Sequence, residues 1–143
     1  MEKSNHPIII KFKNNLDSNG SLVSIEELKN IPFEFKRLFY IFNTSNNATR
    51  GKHANRNSEF LLICLQGSCK IKYLYDSTNH EVILDNPTTG LYLSKLIWKE
   101  MYEFSKDAIL LVLTNTLYDK DEYIRDFDLY LKEYKEIYEK NKF

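Results

Sequence analysis

The sequence carries no excess of charge: 20 Lys and Arg balance 20 Asp and Glu over 143 residues. That argues against a nucleic-acid binder built on bulk charge, and no nucleic-acid partner is expected. Long apolar runs are missing as well. No stretch approaches the roughly 18 consecutive apolar residues that cross a bilayer, so no membrane partner is expected. The opening MEKSNHPIIIKFK holds an apolar run of only three residues, too short for a secretory signal. Cysteine is scarce, with only Cys64 and Cys69. Both fall in a strand-like region, at a spacing that sends side chains to opposite faces, so a disulfide between them is not expected. The spacing is also wrong for a zinc knuckle. They read as reduced thiols of a cytoplasmic protein. Internal repeats and low-complexity linkers are absent, which leaves residues 1–143 as a single domain.

What is present suits a globular chain with a real core: 43% hydrophobic and 28% charged residues. Ten Tyr and nine Phe give an aromatic share of 14%, open either to stacking on sugars or bases or to core and interface packing. Short β-branched and aromatic runs recur between Gly, Asn and Pro turns. They predict strands over residues 7–13, 21–25, 36–42, 60–65, 69–75, 80–84, 90–93, 98–104 and 108–114. Residues 60–65, FLLICL, are apolar throughout and predict a strand buried on both faces. Such spacing indicates an all-β sandwich or barrel. The end of the chain differs. Tyr123, Ile124, Phe127, Tyr130, Leu131, Tyr134, Ile137 and Tyr138 recur at three- and four-residue steps, predicting an amphipathic helix over about 119–140 with Asp119 or Asp121 as its N-cap.

The densest cluster of reactive groups is TRGKHANRNSEF, residues 49–60, just before that apolar run. On an extended segment His53 and Asn55 point to one face, because strand side chains repeat every two residues. Many small barrels of the cupin superfamily place His-x-His, a Glu and a distant His around a metal. The matching positions here are His53, Asn55, Glu59 and Lys99. Asn is a poor transition-metal ligand and protonated Lys is none, so no metal is expected.

RGKHANRNSEFLLICLQGSCKI, IPFEFKRLFYIF, GLYL, WKEMYEFSKDAILLVL and YDKDEYIRDFDLYL resemble successive blocks of the cupin-fold dTDP-4-keto-6-deoxyglucose 3,4-ketoisomerases, the FdtA/QdtA type of the WxcM-like group. The resemblance spans residues 8–130. It implies a jelly-roll β-barrel with the C-terminal amphipathic helix attached, and a dTDP-linked 4-keto-6-deoxy sugar as partner. The implied reaction moves the ketone from carbon 4 to carbon 3 with no cofactor, ahead of an aminotransferase that makes a 3-amino sugar. It also implies a homodimer with exchanged strands, for which residues 8–12 are the candidate edge.

A proton must leave carbon 3 and another must arrive at carbon 4, which calls for a base of moderate pKa and for donors near the oxygens. The family's His-Ala-His reads His-Ala-Asn here. His53 is retained; Asn55 stands where the second His would be and cannot act as a base. Three readings follow. His53 transfers protons alone, with Tyr40 or a water relaying between oxygens; or activity is weak; or the chain binds the nucleotide sugar without turning it over. Arg37 and Arg50 are candidates for the diphosphate, since Arg contacts phosphate oxygens in pairs. Glu59 either belongs to the site or orients His53. Trp98 either lines the pocket or packs the barrel mouth. Asn19 and Lys99 fall where relatives differ in the epimer they form at carbon 4, with the galacto product favoured here over gluco. Lys52 and Arg56 read as solvated.

Overall fold

Residues 60–64 are buried on both faces because two different layers cover them. Phe60, Leu62 and Cys64 of β4 (Phe60–Gln66) enter the space between two sheets, while Leu61 and Ile63 face an outer layer. The computed structural model describes residues 6–138. The first sheet has the order β1-β7-β4-β9-β2, all antiparallel, with β1 Ile8–Lys11, β2 Arg37–Phe42, β7 Thr89–Leu93 and β9 Ile109–Thr114. The second has the order β10-β3-β8-β5-β6, with β3 Arg50–Asn55, β5 Cys69–Tyr75, β6 Thr78–Leu84, β8 Lys99–Tyr102 and β10 Tyr123–Ile124. Phe60, Leu62 and Leu110 of one sheet meet Ile71, Leu84 and Met101 of the other in a shared apolar core. This is a jelly-roll sandwich: the strand pattern implied a sandwich or barrel, and the resemblance implied the jelly roll.

The strand expected at 21–25 does not form. Val23 and Ile25 instead lie half-buried against a layer made by Phe12, Ile31, Phe33, Leu61, Ile63 and Tyr92. The segment crosses the outer face of the first sheet and spends its apolar side chains there, so it extends no ladder. Its pairings are isolated bridges, Asp17 with Gly20 and Glu27 with Ile31.

The long C-terminal helix is broken in three. A 3-10 turn covers Lys120–Glu122, β10 follows, and the helix α1 is Phe127–Tyr138. Asp119 caps the turn by accepting from the Asp121 N–H at 2.9 Å, and Asp126 accepts from the Leu129 N–H at 2.9 Å at the start of the helix. Between them Tyr123 and Ile124 pair with Asn55 and Ala54, and Ile124 buries with Ala54, Leu96 and Trp98. Tertiary pairing thus overrides helical periodicity for these residues. Residues 139 and 140, the expected end of the helix, lie outside the described residues. Arg56, read as solvated, holds the helix instead: its Nε and Nη2 donate to the Glu133 carboxylate at 2.9 and 2.7 Å.

The two cysteines also depart from expectation. They sit on different strands of the β4–β5 hairpin, so the chain reversal brings both into one core, where the Cys64 thiol donates to the Gln66 carbonyl at 3.1 Å. Both are free.

Candidate active site

The cluster before β4 forms β3, and β3 is irregular. Its register on β8 slips between Gly51 and His53, with Gly51 at φ +84° and Lys52 at φ +57°. A Cβ on Gly51 would stand 2.9 Å from the Lys99 carbonyl oxygen, so this bulge needs glycine. The extra residue changes which side chains share a face. Arg50 and His53, three apart, both turn inward, which strict alternation forbids. Arg50 pairs with Met101, and His53 pairs directly with Lys99.

These side chains line a cavity of about 410 Å³ between the sheets. Its apolar floor is Phe39, Ile41, Phe60, Leu62, Met101 and Val112. Its polar wall is Thr49, Arg50, His53, Lys99, Tyr123 and Arg125. The His53 ring meets the Tyr123 ring edge-on at 4.8 Å, and its Nδ1 is buried with no hydrogen-bond partner. Burial, then the charges of Lys99 and Arg125, lower the His53 pKa to about 3; the Asn55 amide offsets part of this. His53 is therefore a neutral imidazole at any ordinary pH.

Lys99 is only 3% exposed. Its Nζ lies 3.8 Å from the centroid of the Phe60 ring and donates to Asn55 Oδ1 at 3.5 Å. Burial pulls its pKa down to about 7, against the opposing charge of Glu122. Asn55 in turn donates from Nδ2 to Glu122 Oε1 at 2.8 Å. Glu122 also accepts from the Ser58 hydroxyl and from the Asn57 N–H at 3.1 Å. A buried polar string thus runs from the cavity wall inward, Lys99 to Asn55 to Glu122.

Of the residues singled out from sequence, His53, Arg50 and Lys99 come together in the cavity. Asn55 is fully buried behind Lys99 and does not line it. Arg37 stands on the inward face of β2 beside Phe39, with its guanidinium 5.3 Å from the Phe39 ring and 5.5 Å from the Tyr118 ring. Its Nη2 is buried without a hydrogen-bond partner. Four others fall elsewhere. Tyr40 points outward, 59% exposed, because its neighbours Phe39 and Ile41 take the inward face. Glu59 accepts from the Tyr92 hydroxyl and from Asn115 Nδ2, away from the cavity. Trp98 packs edge-on against Phe127 at 5.1 Å and against Tyr130, since its neighbour Lys99 is the inward one. Asn19 lies exposed in the 17–20 turn, its N–H on Asp17 Oδ1. With Glu59 facing away from His53, the His–Glu pair of a cupin metal site is not assembled, and no other group of three or more His, Cys, Asp or Glu gathers among the described residues.

This arrangement has known counterparts. A family model described as FdtA, WxcM-like, C-terminal, matches residues 5–135. The chain belongs to that family. It is 46% identical over 126 residues to the TDP-4-oxo-6-deoxy-alpha-D-glucose-3,4-oxoisomerase of Aneurinibacillus thermoaerophilus, covering 87% of this chain and 89% of that one. The solved 3,4-ketoisomerase QdtA of Thermoanaerobacterium thermosaccharolyticum, in complex with TDP, superposes with a TM-score of 0.90 at 38% identity, over 94% of this chain and 98% of that one. WlaRA, a TDP-fucose-3,4-ketoisomerase from Campylobacter jejuni, gives 0.86 at 48% identity, over 92% and 97%.

Within this FdtA-type chain, sequence reasoning missed Tyr123, Arg125 and Glu122, which were assigned to one continuous helix. The signal was there. Asp119 and Asp126 are both cap residues, seven apart, and two caps in one helical stripe mark a break.

Proposed function

We propose that the chain is an isomerase that converts dTDP-4-keto-6-deoxyglucose to a dTDP-3-keto-6-deoxyhexose through an enediol, using no metal or organic cofactor. The observation that carries this reading is the neutral imidazole of His53 in a wall that also holds Lys99, Arg50 and Arg125. A neutral imidazole accepts the proton of carbon 3 and returns it to carbon 4 on the same face of the sugar. Nearby cations stabilise the negative charge that develops on the oxygens. An anionic substrate offsets the Lys99 and Arg125 charges that add to burial in lowering the His53 pKa, which raises the basicity of His53.

Arg50 and Arg37 are assigned to the diphosphate, and the unpaired Nη2 of Arg37 supports this. The product is assigned the galacto configuration, supported by the 48% identity to an enzyme named for TDP-fucose. The role of that product is to feed an aminotransferase in the making of a 3-amino sugar, in the cytoplasm. No helix among the described residues is long and apolar enough to cross a membrane. The working unit is a homodimer that exchanges β1, an edge strand whose register on β7 a partner's β7 would accept equally; a monomer in sedimentation would remove this part.

The test is incubation with dTDP-4-keto-6-deoxyglucose in deuterated water, read by proton NMR. Deuterium at carbon 4 of a new 3-keto species is the expected result, with couplings that report the galacto epimer. Saturable binding with no exchange would replace the isomerase by a nucleotide-sugar-binding protein.

A further inference from the structure

Moving the ketone takes two proton transfers at carbon and two at oxygen. His53 serves the carbons, but the oxygens need a group that can both give and take a proton. Asn55 can do neither, and Arg50 and Arg125 do not lose theirs. Tyr40 is on the outer surface. Lys99 is placed for the task. It lies in the cavity wall, directly opposite His53 in the β3–β8 ladder, with its ammonium held between the Phe60 ring and the Asn55 carbonyl.

We propose that Lys99 is a catalytic residue of this chain, relaying protons between the two sugar oxygens while His53 relays them between the two carbons. The inference rests on the isomerase reading above. In the first half, His53 takes the proton from carbon 3 as the Lys99 ammonium gives one to the carbon-4 oxygen. The C=O pair becomes an O–H, a carbon–carbon double bond forms, and an enediol faces an imidazolium and a neutral amine. In the second half, the amine takes the proton of the carbon-3 hydroxyl as the imidazolium gives its proton to carbon 4. The double bond becomes the new ketone at carbon 3, and both side chains return to their starting states.

The surroundings keep both forms of Lys99 within reach. The titratable and charged groups around it are His53 and Arg50 from β3, Tyr73 across the β5 ladder, and Glu122, Tyr123 and Arg125 from the C-terminal block. Burial opposes its charge, and Glu122 supports it from behind Asn55. Its pKa of about 7 matches a group that must donate and accept in one turnover. Asn55 therefore positions the amine and stands outside the proton transfers.

The diagnostic variant is Lys99→Arg, which keeps the cation but cannot take a proton. Wild type is assayed first with dTDP-4-keto-6-deoxyglucose; failure to turn over would remove the isomerase reading itself. With wild type active, Lys99→Arg is expected to exchange deuterium at carbon 3 within about tenfold of wild type, yet isomerise roughly 100-fold or more slowly. Isomerisation within a few-fold of wild type, or equal losses in exchange and isomerisation, would overturn the proposal and pass the relay to Tyr123 or water. Folding is read from TDP binding. If Lys99→Arg does not bind, Lys99→Met with added ethylammonium decides the matter: rescue of isomerisation supports the relay, and no rescue in a variant that binds TDP overturns it.

Discussion

His53 and Lys99 face each other across the β3–β8 ladder, and the ammonium reaches Glu122 only through the amide of Asn55. An imidazole and an amine are thus held side by side in one wall, and the Lys99 charge weakens the imidazole's hold on a proton. Their partners differ: His53 has an unpaired Nδ1, and Lys99 has a polar string behind it.

Replacing His53 by Gln should abolish carbon-3 exchange and slow isomerisation by about 10²- to 10⁴-fold. TDP affinity should stay within a few-fold, because the diphosphate is assigned to arginines. NMR exchange with parallel titration calorimetry checks both halves. A large loss of affinity would make His53 a binding residue.

The pair also sets a pH signature for stability. Both folded-state pKa values lie below the unfolded ones, from 6.5 to about 3 for His53 and from 10.5 to about 7 for Lys99. The unfolded chain therefore binds more protons between pH 3 and 6.5 and again between 7 and 10.5. Stability from these groups rises with pH across both windows. Lys99→Met should remove the upper rise and raise the unfolding free energy at neutral pH by about 1–4 kcal/mol. Urea unfolding at pH 6 and pH 9 measures this; identical pH slopes in variant and wild type would contradict it.

Asn55 satisfies two buried groups at once, so Asn55→Ala should cost about 1–3 kcal/mol of stability by stranding Lys99 and Glu122. Asn55→His, the change that restores the family's pattern, should leave the isomerisation rate within a few-fold. Position 55 lies behind the cavity wall. A steep gain in rate would show that the second imidazole had been limiting.

Arg37→Ala and Arg50→Ala should each weaken TDP binding by about 10- to 100-fold, the loss of one or two charge-assisted hydrogen bonds. Isomerisation at saturating substrate should change far less. Calorimetry with TDP alone separates the two effects.

Trp98→Ala should destabilise the fold by about 3–5 kcal/mol, as for a large buried aromatic, while leaving the rate at saturation within a few-fold. The indole packs against Phe127 and Tyr130, remote from the cavity lining. Thermal unfolding and a rate at saturating substrate check the pair of outcomes.

The sequence displayed the two-faced burial of β4, the paired strands and His53 clearly, because each follows from local pattern. The errors came from parity and from long-range pairing. Trp98 and Lys99 are both candidates for the site from sequence, with Trp98 left open between pocket and packing, yet adjacent strand residues face opposite ways, so only one can be there. Tyr40 was misplaced because both faces of β2 are apolar: Leu38, Tyr40 and Phe42 outside, Phe39 and Ile41 inside. Neither set announces the core. The reach of Glu122 to Asn55 spans 67 positions, and no local pattern encodes it.

The two-residue strand β10 has a consequence for how the protein comes into being. Tyr123 and Arg125 reach the cavity, and Glu122 reaches Asn55 behind its wall, only once β10 has docked on β3. Both sheets can otherwise close from residues already synthesised. Translation must therefore run past residue 125, and the C-terminal block must fold back over some 70 residues, before any site exists. Until then the jelly roll is a shell with its cation wall open to water. Catalytic competence is the last thing this chain acquires as it leaves the ribosome.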